Sequence, residues 1–201
     1  MYTEREAVII AIANLKGGVG KTTTAMHLAA VVERRGNTSV VLDADSERSA
    51  IEWATTGDLS FKVERANPDS LARQARALEA DGAVVIIDGP PNSRDLLWSA
   101  ASVADRVVVP ISPTGLDVNR LRSTLEVLLD IEASKKDMDT RILFTRWDGR
   151  KVLAREAETL LRDFPVMISK VRALTRYEAA FGGMPDFLDE YEQVYRELQD
   201  E

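Results

Sequence analysis

Three glycines, two lysines and a run of three threonines fall within nine residues, Lys16-Gly17-Gly18-Val19-Gly20-Lys21-Thr22-Thr23-Thr24. An apolar run, Ala7 to Ala13, precedes them and a helix-like segment follows. Strand, glycine-rich turn, lysine-threonine and helix together form a device for holding nucleotide phosphates. The glycines let backbone N–H groups approach phosphate oxygens, and the helix points its positive dipole end at them. Lys21 can reach the β and γ phosphates, and the Thr22 hydroxyl can ligate Mg²⁺. The common spacing G-x-x-x-x-G-K-[ST] would place its first glycine at Leu15. This chain has a second lysine, Lys16, just before the glycine pair.

Two carboxylates complete the chemistry. Asp43 ends the run Val40-Val41-Leu42, and Asp88 ends Val84-Val85-Ile86-Ile87. A carboxylate at a strand end beside a phosphate loop is well placed for Mg²⁺, often through water, because Mg²⁺ prefers hard oxygens and sheds its hydration reluctantly. Hydrolysis needs a water held in line. Asp45, on the mobile side of the turn after Asp43, is the candidate for orienting it. Gly89 is expected to leave room for a switch loop.

These residues need strands to carry them. Short apolar runs predict strands at Ala7–Ala13, Ser39–Asp43, Ser60–Val63, Ala83–Asp88, Arg106–Pro110, Arg141–Thr145 and Val166–Ser169. Amphipathic segments predict helices at Lys21–Arg35, Glu47–Thr55, Asp69–Glu79, Ser93–Ser102, Leu116–Ser134, Lys151–Asp163, Leu174–Phe181 and Asp186–Leu198. Unbroken β-branched runs are strands buried on both faces. Their alternation with helices predicts an α/β fold in three layers, a mostly parallel twisted sheet flanked by helices, with ligands at the carboxyl ends of the strands. His27 lies among apolar residues of the first helix and reads as packed. Trp53, Trp98 and Trp147 read as core or interface residues, with burial the plainer expectation for Trp98.

With 201 residues and no dividing linker, residues 1–201 read as one domain. There is no cysteine, which excludes a disulfide framework and cysteine-ligated iron–sulfur or zinc sites. The start lacks a signal-peptide pattern and no run is long enough to span a membrane, so a cytoplasmic location is expected. Net charge is −7, yet from Arg141 to Arg176 nine basic residues stand against four acidic ones. From Glu178 to the end, eight acids stand against Arg196 alone.

The two-lysine loop resembles the deviant Walker A motif of the ParA/MinD family, and the chain as a whole resembles a small ParA-type partition ATPase of P-loop NTPase fold. The matching segments are K-G-G-V-G-K-T-T-T at 16–24, V-V-L-D-A-D at 40–45 and V-V-I-I-D-G-P-P at 84–91. Val109-Pro110-Ile111-Ser112-Pro113 and the late Glu178-Ala179, Gly183 and Pro185 are weaker matches. The resemblance implies ATP held by Lys16, Gly17, Gly18, Val19, Gly20, Lys21, Thr22 and Thr23, with Thr145 and Arg146 near adenine. It implies Mg²⁺ among Thr22, Asp43 and Asp88, and catalytic roles for Lys16, Lys21 and Asp45. Lys16 would act across an ATP sandwich homodimer on the partner's nucleotide.

The resemblance further implies nonspecific double-stranded DNA binding by the dimer on a nucleoid, with Lys170, Arg172 and Arg176 as contacts and Arg150, Lys151 and Arg155 behind them. It also implies a ParB-like or small centromere-binding adaptor that stimulates slow hydrolysis. The family commonly has Asp-x-Asp-Pro-Gln where this chain has Asp43-Ala44-Asp45-Ser46-Glu47; losing the proline should loosen the turn.

Among relatives, nitrogenase iron protein needs cysteines. MinD-type proteins end in a basic membrane-binding helix, whereas the end here is acidic, so no membrane partner is expected. Only Met1 to Glu6 precede the first strand, so site-specific operator binding by this chain is not expected. Two other functions remain open: positioning another cargo, such as a protein organelle, and a dethiobiotin-synthetase-like phosphotransferase.

Overall fold

The computed structural model describes residues 8–134 and 138–200, without the side chains of residues 116 and 118–120. Met1 to Ala7, including the first residue of the first predicted strand, lie outside the described residues. The chain runs β1 (Ile9–Ile12), α1 (Lys21–Arg34), β2 (Ser39–Asp43), α2 (Ser49–Thr56), β3 (Lys62–Arg65), α3 (Leu71–Ala80), β4 (Val84–Asp88) and α4 (Arg94–Val103). It continues β5 (Arg106–Ile111), α5 (Gly115–Glu132), β6 (Asp139–Trp147), α6 (Val152–Leu160), β7 (Val166–Arg172), α7 (Thr175–Ala179) and α8 (Asp189–Leu198).

The strands form one parallel sheet in the order β3-β2-β4-β1-β5-β6-β7. Alternate residues of β1 feed the two faces. Ile9 and Ala11 pack with Leu71, Leu97, Leu128 and Ala157 of α3 to α6. Ile10 and Ile12 pack with Leu28, Trp53, Tyr177 and Tyr191 of α1, α2, α7 and α8. This is the expected three-layer α/β arrangement. The chain's direction across the sheet reverses at β1, between β4 and β5, and ligands bind outside the strand ends at such a reversal. The glycine-rich loop after β1 lies there, with Asp43 and Asp88 side by side in the register of β2 and β4.

Three strands depart most from their expected bounds, and one of them, β7, runs on past Ser169 to Arg172. The strand placed at Ser60–Val63 lies at Lys62–Arg65, because Phe61 is a core residue before the edge strand and not part of it. β6 is longer than Arg141–Thr145: its pairing with β5 begins at Asp139 and its pairing with β7 reaches Trp147. Between the pairs Ile142↔Val166 and Phe144↔Lys170, β7 carries two more residues than β6. That excess frees backbone donors, and Glu197 of α8 takes two of them: its carboxylate accepts from the N–H groups of Ile168 at 2.7 Å and Ser169 at 2.9 Å. Water can replace part of this at an exposed edge, so Glu197→Ala is expected to cost about 1 kcal/mol in urea unfolding, with Glu197→Gln costing less.

His27 packs as expected. Its ring stacks on Tyr191 at 4.8 Å and meets Tyr177 and Trp53 edge-on, while Nδ1 donates to the Thr23 carbonyl at 2.7 Å. Burial lowers its pKa from 6.5 to about 4. The unfolded chain therefore binds a proton that the folded chain refuses between those values. The stability this group contributes is complete above pH 6.5 and falls as pH drops towards 4, by about 3 kcal/mol. Asp88, whose folded pKa is pushed up to about 7, adds a slope of the opposite sign over the same range. The His27 part is therefore read as a difference: relative to His27→Phe, the native chain should lose about 3 kcal/mol in denaturant unfolding as pH falls from 6.5 to 4.

Trp98 departs from expectation: it is 44% exposed on the solvent face of α4. Tyr191, Val194, Tyr195 and Leu198 form the buried stripe of α8. Among the described residues, no helix is long and apolar enough to cross a membrane.

Candidate functional site

The loop between β1 and α1 is a cradle of backbone. Gly18 and Gly20 take left-handed φ values of 74° and 87°, which side chains rarely tolerate, and Gly20 caps α1. No acidic residue stands in the first turn of α1, so its N–H groups and dipole are free to face an anion. The buried Lys21 ammonium curls over the loop and donates to the Lys16 carbonyl at 3.0 Å. Burial lowers its pKa, and Asp88 and Asp45 oppose that.

The cradle is braced by residues that the sequence pattern did not single out. Asn14 donates to the Pro110 carbonyl at 2.8 Å and accepts from the Lys16 N–H at 2.9 Å. Thr124 of α5 accepts from the Leu15 N–H and donates to Asn14. A polar residue directly after a buried strand was the one available signal. Thr145, assigned to adenine by resemblance, is buried and donates to the Val19 carbonyl at 2.8 Å. It holds the loop from β6 and also borders a cavity beside Gly20 and Thr23. Arg146, at a left-handed φ of 51°, lines both that cavity and the phosphate groove. Tyr177 also lines the cavity, and its hydroxyl is buried with no hydrogen-bond partner among the described residues.

The carboxylates have separate settings. Asp43 accepts from the Asp45 N–H and from the Ile51 N–H, both at 3.0 Å, so it pins the turn and the first residues of α2. Asp45 in turn accepts from the Glu47 N–H at 3.0 Å. These bonds shape the turn without the proline. Asp45 and Glu47 line the groove with Lys21 and Thr22. Asp88 is buried, and neither of its oxygens has a hydrogen-bond partner among the described residues. Burial pushes its pKa up to about 7; the nearby Thr22 hydroxyl opposes this, Asp43 adds to it, and Lys21 opposes it.

An orphaned buried carboxylate beside a threonine hydroxyl fits a hard cation that keeps most of its water and is completed by phosphate oxygens. Among the described residues no three acidic or histidine groups converge, so a cage made of protein alone is not the design. Gly89 has a different reason from the one expected. A Cβ there would lie 2.8 Å from the Ile12 carbonyl, so glycine is needed for β4 to pass β1.

Lys16 is partly buried. Its ammonium donates to its own Gly17 carbonyl at 3.2 Å and pairs with Asp117, at the start of α5, at 3.5 Å. The three proposed DNA contacts do not make one bare patch. Lys170 pairs with Glu158 and lies over the Trp147 ring, Arg172 pairs with the buried Glu190, and Arg176 lies over the Phe187 ring. Lys151 and Arg155 stand exposed on α6.

Comparison with known proteins decides the lineage of this cradle. The model of the CobQ/CobB/MinD/ParA nucleotide-binding domain matches residues 10–184. The chain belongs to that family. Within the ParA/MinD group it is 32% identical over 177 residues to a maintenance of carboxysome distribution protein A from Gloeobacter kilaueensis, covering 86% of this chain and 80% of the relative. It is 29% identical over 194 residues to the chromosome-partitioning ATPase Soj of Thermus thermophilus, covering 76% and 75%. In fold, the Pyrococcus furiosus cell division ATPase MinD superposes with a TM-score of 0.74 at 16% identity, covering 96% of this chain and 99% of that one. Cobyrinic acid a,c-diamide synthase of Mycobacterium smegmatis, solved with ADP and magnesium, superposes at 0.72 with 21% identity, covering 96% and 95%.

Proposed function

We propose that this ParA/MinD-family chain is a Mg-ATP-dependent switch that closes as a homodimer on ATP, binds DNA nonspecifically as that dimer, and resets by slow, partner-stimulated hydrolysis to position a cargo. The observation that carries this reading is the pair of lysines on one loop: Lys21 is buried over its own phosphate cradle, while Lys16, five residues away, is partly buried and paired with Asp117 of α5. One ammonium per nucleotide serves the cradle; the second has a use at a nucleotide held by another copy. Relatives named for chromosome partitioning and for carboxysome distribution both support cargo positioning, and the latter favours a protein organelle as much as a DNA molecule.

Magnesium, bound with the nucleotide, supplies positive charge to the β and γ phosphates. The chain's own part is to hold that arrangement. Thr22 and Asp88 would hold the cation, and Asp43 keeps the switch turn in place from the neighbouring strand end. Asp45 orients the attacking water, catalysis here being mostly positioning and charge stabilisation. The base occupies the cavity bordered by Arg146, Leu174 and Tyr177, where the unpartnered Tyr177 hydroxyl offers a hydrogen bond. With Lys170 and Arg172 paired to acids, the DNA-facing charge shifts towards Lys151, Arg155 and Arg176, and its binding should weaken steeply with salt.

Sedimentation velocity with ADP, ATP and Asp45→Ala plus ATP, with and without duplex DNA, tests the reading. A monomer in ADP and a dimer in ATP that co-sediments with DNA is expected. Asp45→Ala should prolong the dimer by slowing turnover at least tenfold. A monomer in ATP even for Asp45→Ala would sink it. Fast turnover dependent on a small-molecule acceptor would point instead to a phosphotransferase.

A further inference from the structure

On the face of the sheet formed by α3 to α6, the groove between α5 and α6 is apolar and open. Leu129 on α5 is 61% exposed, and Leu153, Leu160 and Phe164 on and just after α6 are 53%, 63% and 44% exposed. Both helices run antiparallel to the strands that they connect by right-handed crossovers, so they are parallel neighbours. With Ala154, Ala157 and Leu161 facing the sheet, a 100° step per residue puts Leu153, Leu160 and Phe164 on the flank towards α5. With Leu121, Thr124 and Leu128 buried, the same step puts Leu125 and Leu129 on the flank of α5 towards α6. Four large side chains exposed along one groove exceed the scattered apolar residues of an ordinary surface.

The rim says what covers it. Going round α6 from that flank, the next residues outward are the exposed acids Glu156 and Asp163; the exposed bases Lys151, Arg155 and Arg162 lie on the opposite flank, towards the β7 edge. The solvent face of α5 adds Glu126, paired at 3.1 Å with Arg122. Asp163 has only its neighbour Arg162, at 3.7 Å, and both are exposed. Glu156 and Asp163 on that rim disfavour anionic lipid and DNA there.

We propose that the α5–α6 groove is a docking site for a basic amphipathic helix of a partner protein, whose apolar residues at helical spacing enter between Leu129 and Leu160 and whose lysines or arginines meet Glu156 and Asp163. The groove lies on the helical layer and not at the strand ends, so this site is independent of the nucleotide reading.

The test uses the full chain without nucleotide and two short fluorescent helical peptides with identical leucine stripes, one flanked by lysine and one by glutamate. Anisotropy should show the lysine peptide binding at least tenfold more tightly. Leu160→Glu, and separately Glu156→Lys with Asp163→Lys, should each weaken it at least tenfold with an unchanged circular dichroism spectrum. Leu153→Ser supplies a second apolar variant should Leu160→Glu disturb folding. Equal binding of the two peptides, or indifference to both apolar variants, would overturn the proposal. So would nucleotide-independent self-association that Leu160→Glu abolishes, which would mark the groove as an interface between copies.

Discussion

Lys21→Ala is expected to weaken ATP binding by about a hundredfold or more in titration calorimetry, the largest single effect at this site. Truncating one partner of a desolvated charge contact removes about 2–5 kcal/mol, much of it because the other charge is left unpaired. Here the partner is the polyphosphate, and the surrounding cradle offers backbone dipoles but no second buried ammonium. Stability should move differently. Burial lowers the Lys21 pKa, so the fold carries a desolvation cost for this cation before any nucleotide arrives. The thermal midpoint of the variant without nucleotide should therefore be unchanged or higher, while the increase that ATP gives the native chain should disappear. Loss of both together would mean that Lys21 serves the loop's own folding, through the Lys16 carbonyl, more than it serves a ligand.

The architecture was legible because its signals are local. Val-Val-Ile-Ile at 84–87 cannot be half-buried, and the glycine-rich loop has to follow a strand and open a helix. That Asp43 and Asp88 each end a strand followed from the same runs; that the two strands are neighbours came from the fold. What was not legible depends on contacts across the chain. Asn14 and Thr124 are about a hundred residues apart, and only the packing of α5 brings them to one loop. Asp117 is ordinary in sequence, as the third residue of a helix capped by Thr114, yet it is the carboxylate that meets Lys16. The basic segment needed the fold as well. The count between Arg141 and Arg176 includes Glu158 without showing that it pairs with Lys170, and it leaves out Glu190, which pairs with Arg172. Trp98 has the composition of a core residue, but it falls on the outer face of α4, where Leu97, Ala100 and Ala101 already fill the buried side.

The second large effect separates two uses of Lys16. If its ammonium is reserved for a nucleotide in another copy, Lys16→Ala should leave ATP affinity within about threefold and abolish the ATP-dependent dimer, because the lost charge contact belongs to the closed pair alone. The pair with Asp117 then competes with closure, since Lys16 has to leave that carboxylate before it can reach a phosphate. Such a partly exposed pair is worth about 0–1 kcal/mol and closure breaks two, one in each copy, so Asp117→Asn should lower the protein concentration at half dimerisation by up to about thirtyfold. The two substitutions thus move dimerisation in opposite directions while both spare binding. A lysine that only braces its own loop, through the Gly17 carbonyl at 3.2 Å, predicts otherwise. Both variants would then loosen the cradle, both would weaken ATP binding, and neither would strengthen the dimer. Analytical ultracentrifugation with ATP, run beside equilibrium binding of a fluorescent ATP analogue, distinguishes the two, because only a lysine that acts in trans lets one neighbouring charge restrain an assembly that the other charge completes.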